Sequence, residues 1–195
     1  MYYWWFKHNY RDGGFSIMSE LRTNRIVPRD GIVSGANGGI IQVAITQKSD
    51  KFEWSGTGDV AITGMTVSIT PTRSDSKILV QVQIGASGVY NDAYPIFWQL
   101  YRNGSVISDA QGDDDGGGSD PVGCASYTKN ALYYTGTSTS FSFLDTPATT
   151  SSTTYALYGQ RHSSAGTAYF NATGRDINER YARSISTITA WEVSG

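Results

Sequence analysis

The sequence predicts an all-β protein, and three observations lead to this fold class. Glycine and tyrosine are frequent, at 22 and 13 of 195 residues, and charged residues make up only 16%. Apolar and polar residues alternate in many short runs, as expected of half-buried strands. Turn-forming residues separate these runs at short intervals. We therefore predict an antiparallel β-sandwich or jelly-roll head of about eight to ten short strands, preceded by an extended N-terminal arm.

The chain starts with an aromatic leader, residues 1–17, which shows neither strand alternation nor helical spacing. Its sequence is MYYWWFKHNYRDGGFSI. Trp and Tyr are favoured interface anchors, so one interpretation is a peg that inserts into a partner. The other rests on Gly13-Gly14, whose codons can form a purine-rich ribosome-binding sequence shortly before Met18. In that case residues 1–17 are an untranslated leader, and both interpretations stay open.

Residues 18–39 are predicted to be an extended anchoring arm. They have no periodic apolar face, and Pro28 and several glycines exclude a long helix. The head domain is predicted to span residues 40–195. Its first strand shows apolar residues in alternation with Gln42 and Ala44, namely Ile41, Val43 and Ile45.

The next runs predict strands with a defined core face. In VAITGMTVSIT the apolar phase changes at Gly64, which predicts a β-bulge or a bend. KILVQVQIGA is the clearest strand, and its apolar face carries Ile78, Val80, Val82 and Ile84. Asn103-Gly104 predicts a tight turn between strands Trp98–Arg102 and Ser105–Ile107.

The second half of the chain predicts five more strands. We expect the last strand to turn Trp191 and its alternate neighbours to one face, and Glu192 to lie opposite the core face. The predicted strands are Ser126–Tyr134, Ser140–Leu144, Tyr155–His162, Ala168–Asn171 and Ser184–Val193.

Composition and motifs exclude several classes of function. A net charge of −2 and a pI near 5.6 give no reason to expect nucleic-acid binding. No apolar stretch reaches the roughly 20 residues needed for membrane insertion. The single cysteine, Cys124, excludes an intrachain disulfide, and the only two histidines, His8 and His162, have no metal-ligand spacing. Without a nucleophile elbow or paired carboxylates, we predict that the protein is not an enzyme.

One segment, GDDDGGGSD, concentrates acidic residues: Asp113, Asp114, Asp115 and Asp120. We expect a solvated loop, because its spacing does not fit an EF-hand, although oxygen-rich loops suit Ca²⁺. No other cofactor is indicated. Loops on a β scaffold often carry binding function, so these aspartates, with Asp92 and Tyr94, are the receptor-facing candidates.

Aromatic residues crowd the segment that leads into the predicted hairpin: Tyr90, Tyr94, Phe97, Trp98 and Tyr101. Exposed aromatic rings can stack on sugars. Alternation places about half of them inside the head, however. A place in the core or in a subunit interface is the favoured interpretation.

Several segments resemble structural and fibre-like appendage proteins of marine tailed phages, notably of the cyanophage type. The most specific is Ser19–Val43, SELRTNRIVPRDGIVSGANGGIIQV; the others are SKILVQVQIG, FWQLYRNGSVI and YARSISTITAWEV. The resemblance implies a β-sandwich head that is usually trimeric. It also implies a place on the virion surface. The leader MYYWWFKHNYRDGGFSI has no counterpart in it.

From this resemblance we expect a virion structural protein: a short trimeric appendage used in host attachment. Its partners would be other virion proteins, of the tail, portal-adaptor or capsid, and a host-surface glycan or protein. The alternatives are a capsid decoration or knob protein and, less favoured, a glycan-degrading tail spike. We expect the arm to dock on the particle through Leu21, Arg22, Arg25, Ile26, Pro28 and Arg29.

Overall fold

The computed structural model describes residues 39–90, 94–113, 124–128, 136–174 and 183–194. They form two antiparallel sheets that pack together, which confirms the predicted all-β sandwich. The 3₁₀ turn Ser108–Ala110 is the single helical element among the described residues. The strands are β1 (Ile40–Lys48), β2 (Phe52–Trp54), β3 (Val60–Ile69), β4 (Lys77–Tyr90), β5 (Ile96–Arg102), β6 (Ser105–Val106), β7 (Ser126–Thr128), β8 (Thr137–Asp145), β9 (Thr153–Arg161), β10 (Thr167–Phe170) and β11 (Ser186–Val193).

The first sheet, which we call sheet A, is built around the long strand β4. On one side of β4, β11 pairs along Lys77–Gln83 and β10 along Ser87–Tyr90; β8 pairs with the other side. Strand β1 lies beyond β11, and β2 lies beyond β10. The 14 residues of β4 extend over about 45 Å and set the length of the sandwich.

The second sheet, sheet B, has β9 at its centre. Strand β3 pairs with one side of β9 and β5 with the other. The far side of β5 is shared by two short strands. Of these, β6 pairs with Tyr101–Arg102 and β7 with Ile96–Trp98. Both ends of β5 are therefore covered by separate parts of the chain.

The core lies between the two sheets and uses the face of β4 that the sequence predicted. Its four predicted aliphatic residues are all fully buried: Ile78, Val80, Val82 and Ile84. Opposite them, the Trp98 indole packs edge-on against Trp54 and Phe170, with ring centroids 6.1 and 5.8 Å away. The Trp98 N–H donates to the Thr128 hydroxyl at 2.9 Å, so its polar atom is satisfied inside the core.

Two local predictions are confirmed by the backbone. Gly64 has a φ of 84°, and the pairing of β3 with β9 shifts its register at this point, as a bulge requires. Asn103 and Gly104 both have positive φ, at 50° and 83°. They form the tight turn between β5 and β6.

The first and last strands lie where the sequence predicts them, but their faces are reversed. In β1, Val43 and Ile45 are exposed, while polar residues of the alternate set turn inward. In β11, Glu192 is fully buried, whereas Trp191 lies on the outer face and is only half-buried. The inward faces also carry Ala44, Ile188 and Ala190, which pack in or against the core. The inward polar groups are tolerated because they pair with one another: the Gln42 amide donates to the Glu192 carboxylate at 2.6 Å.

Candidate functional site

The two ends of the sandwich differ in what they carry. At one end, β1 begins and β11 ends, since Ile40 pairs with Val193 and Val193 with Lys77 at the start of β4. The far end of β4, at Tyr90, marks the opposite end. We call the first the terminal end and the second the loop end.

Tyr94 lies at the loop end, directly before β5. Its ring contacts the His162 ring, with the centroids 4.4 Å apart. His162 follows Arg161, the last residue of β9, and the buried Arg161 guanidinium donates to the carbonyl oxygens of Ala165 and Gly166. This contact ties the 162–166 turn to the end of the sheet and thereby fixes the place of His162 beside Tyr94.

The terminal end is closed by a buried carboxylate. The Thr72 backbone N–H and hydroxyl each donate to Glu192 at 2.7 Å, in addition to the Gln42 amide. Burial by itself would raise the pKa of Glu192. The polar side chains of Ser76, Thr72 and Gln42 outweigh that effect and lower its pKa. This network fixes the β3–β4 connection against sheet A and is structural.

The acidic segment starts from the side of sheet B rather than from the loop end. Asp113 is exposed, and next to it the Gly112 N–H donates to the Cys124 carbonyl at 3.0 Å. The Ala125 N–H donates to the Trp98 carbonyl, in the middle of β5. Cys124 is half-buried, and burial raises the pKa of its thiol. The structure therefore does not bring Asp113 to the end at which Tyr94 lies.

The other predicted site residues lie outside the described part of the chain. They are Asp92, Asp114, Asp115, Asp120 and the six anchoring residues of the arm, Leu21, Arg22, Arg25, Ile26, Pro28 and Arg29. Leader 1–17 lies outside it too. Within the described ranges, no group of three acidic, His or Cys side chains could hold a metal ion. For the acidic segment a solvated loop stays the prediction, with Ca²⁺ as the less favoured alternative.

Arg102 and Asp145 border a small surface cavity near the β5–β6 hairpin. The Arg102 guanidinium donates to both carboxylate oxygens of Asp145, at 2.7 and 2.9 Å. The buried Tyr155 hydroxyl donates to the same carboxylate at 2.6 Å. Because the Arg102 charge is already neutralised, this cavity is poorly suited to bind an anion, and the three residues act as a clasp between the sheets.

The clustered aromatic residues divide between the inside and the outside, as alternation predicts. Trp98 belongs to the core, whereas Phe97 and Tyr101 lie on the outer face of sheet B. The Tyr101 ring stacks on Tyr158 with centroids 3.7 Å apart, and its hydroxyl donates to Asp59. Burial and this carboxylate raise the pKa of Tyr101.

The outer face of sheet A carries a feature that sequence analysis missed. One row across its four neighbouring strands consists of apolar side chains only: Val43, Trp191, Leu79 and Leu144. Alternation within single strands indicated that these residues share faces. It could not show that four strands from distant parts of the chain align them side by side.

The chain was also compared with known proteins. No protein-family model matches it, and no curated protein does so. Among the described residues, no helix is long and apolar enough to span a membrane.

Proposed function

We propose that this chain is a virion structural protein of a tailed phage, a short trimeric surface appendage that serves in host attachment. The proposal is based on one observation: the terminal end and the loop end lie at opposite ends of the sandwich. A head held through the residues before β1 would present Tyr94 and the 162–166 turn on the far side, about 45 Å away. The resemblance of Ser19–Val43 to phage appendage proteins supports the same role.

In this proposal each part of the chain has a distinct task. The arm residues, with Arg22, Arg25 and Arg29 among them, dock on the tail, portal-adaptor or capsid. The loop end faces a host-surface glycan or protein. Association of copies multiplies weak receptor contacts into a useful overall affinity.

A capsid decoration protein is the second candidate, and the size of the sandwich favours it. A head about 45 Å long, preceded by roughly twenty arm residues that reach at most about 70 Å, stays close to the particle surface. Such a protein would cement or cover the capsid without contacting a receptor.

Adsorption competition tests the attachment role. The purified full chain should lower the adsorption of phage to host cells, and Tyr94→Ala should weaken this competition at least tenfold. Val106→Ala, an exposed apolar position at the terminal end, is the matched control and should compete like the wild type. Wild-type protein that neither binds cells nor competes would contradict attachment.

The number of copies per virion separates the two candidates. Quantitative mass spectrometry of purified particles should find a small multiple of three copies if the protein is an appendage of the tail. Hundreds of copies would instead support decoration, and cryo-EM of the particle would locate them on the capsid.

A further inference from the structure

The outer face of sheet A is unusually apolar for the solvent side of an antiparallel sandwich. Such faces are normally polar. Here four large aliphatic side chains are strongly exposed: Ile45 at 65%, Ile40 at 60%, and Val43 and Leu144 at 48% each. Apolar side chains exposed side by side, rather than singly, mark an interaction surface.

Towards the loop end, the apolar row is continued by uncharged residues only. The next row across the same four strands consists of Ile45, Thr189, Gln81 and Ser142. Lys77, beside Val193, is a charged residue at the margin of this face, and Glu53 lies farther along the sheet, next to Tyr169. A partner that covers the face therefore needs an apolar surface rather than a complementary charge.

The face combines a groove with projecting side chains. A shallow groove of about 290 Å³ is lined by Ile40, Leu79, Gln81, Ser142, Trp191 and Val193. The buried N–H of the Trp191 indole has no acceptor among the described residues. Beside the groove, on edge strand β1, Ile45 projects into solvent. One face thus contains both halves of an apolar contact.

The outer face of sheet B provides a contrast within the same molecule. Thr66, Ser68, Thr154 and Gln160 place hydroxyl and amide groups there. The Ser68 and Thr154 hydroxyls bond to each other, and the Gln99 amide bonds to Gln160. Phe97, Tyr101 and Val106 share this face, but the row across the strands that contains Tyr101 and Val106 ends at the polar Thr66. Among the described strands, a row of apolar side chains only is therefore a local property of sheet A.

We infer that the outer face of sheet A is the contact through which copies of this chain associate. The inference rests on the trimer in the proposed function and identifies the surface through which its three copies contact one another. In a closed ring each copy uses two different patches. The β1 side, with Val43 and Ile45, meets the groove beside Leu79 and Trp191 of the next copy, so that neutral apolar surface covers neutral apolar surface.

Light scattering coupled to gel filtration tests this interface on the full chain. The wild type should have three times the 21.2 kDa chain mass at micromolar concentration. Ile45→Lys and Gln81→Lys place a charge on either half of the contact and should give monomers. Thr66→Lys adds the same charge to the exposed outer face of sheet B and should leave the trimer intact.

Folding of every variant is checked by circular dichroism. If a lysine variant does not fold, Val43→Thr takes its place, because it keeps the shape and β-branching and should still weaken association about tenfold. A monomeric wild type, or variants that all assemble as the wild type does, would overturn the interface. A chain that assembles as expected but does not compete for adsorption would overturn attachment alone.

Discussion

The Glu192 carboxylate is fully buried and accepts hydrogen bonds from Gln42 and Thr72. Its pKa in the folded protein is lower than the ordinary value of 4.5, which it takes in the unfolded chain. A carboxyl group whose pKa is lowered by folding makes its full contribution to stability at pH values above its pKa in the unfolded chain. This contribution is lost as the pH falls from about 4.5 through the folded pKa.

Glu192→Gln should reduce the free energy of unfolding by about 2 kcal/mol at pH 7, because an amide cannot accept all three hydrogen bonds and brings a donor of its own. Below about pH 4.5 the difference from the wild type should shrink. Urea unfolding at a series of pH values measures both effects. Glu53→Gln is the control, since that side chain is half exposed, and an equal loss in both variants would contradict the argument.

At the scale of elements, the clasp of Arg102, Asp145 and Tyr155 connects both sheets. Arg102 belongs to β5 and Tyr155 to β9 in sheet B, whereas Asp145 ends β8 in sheet A. The hydroxyl of Tyr155 is buried. Burial is the main cause that raises the pKa of Tyr155, and its hydrogen bond to Asp145 raises it further. The clasp holds the end of β8 against sheet B at the terminal end. Its hydrogen bonds are directional, whereas the packing of apolar side chains in the core is not.

Tyr155→Phe should lower the free energy of unfolding by about 1 to 2 kcal/mol, because the buried Asp145 carboxylate loses one of its donors and keeps only the Arg102 guanidinium. Tyr101→Phe removes a hydroxyl that also bonds to a carboxylate, but Asp59 is exposed and water can replace the donor. The loss there should be much smaller. Thermal and urea unfolding of the two variants make the comparison; equal losses would show that burial of the carboxylate does not matter.

The positions of the described strands other than Phe52–Trp54 could be predicted from the sequence, but the buried face could be predicted only for some of them. Alternation in Ile40–Lys48 defines two faces, and the aliphatic one was expected inside. The structure buries the polar face because Gln42 finds Glu192 there, a partner 150 residues away. The buried face of β4 was predicted correctly, because its inward side chains between Ile78 and Ile84 are all aliphatic and pack in the core between the sheets.

At the scale of the whole molecule, the candidate surfaces follow from how distant segments pair. The apolar row joins β1, close to the start of the head, with β11 at its end. A single sequence contains no signal for this register. The loop end could be predicted in part, because Tyr94 follows a strand and precedes Pro95 in a turn-rich segment. The contact of Tyr94 with His162 depends again on long-range pairing, here of β5 with β9.

If sheet A is an interface between copies, the stability of the protein must depend on its concentration. By mass action, a hundredfold increase in concentration should raise the melting temperature of the wild type by about 4 to 7 °C. Thr66→Lys should behave in the same way. Ile45→Lys, which exposes a charge in place of the projecting side chain, should melt at a temperature independent of concentration. Calorimetry over this range measures the effect, and a wild-type melting temperature that stays constant would exclude association coupled to folding through this face.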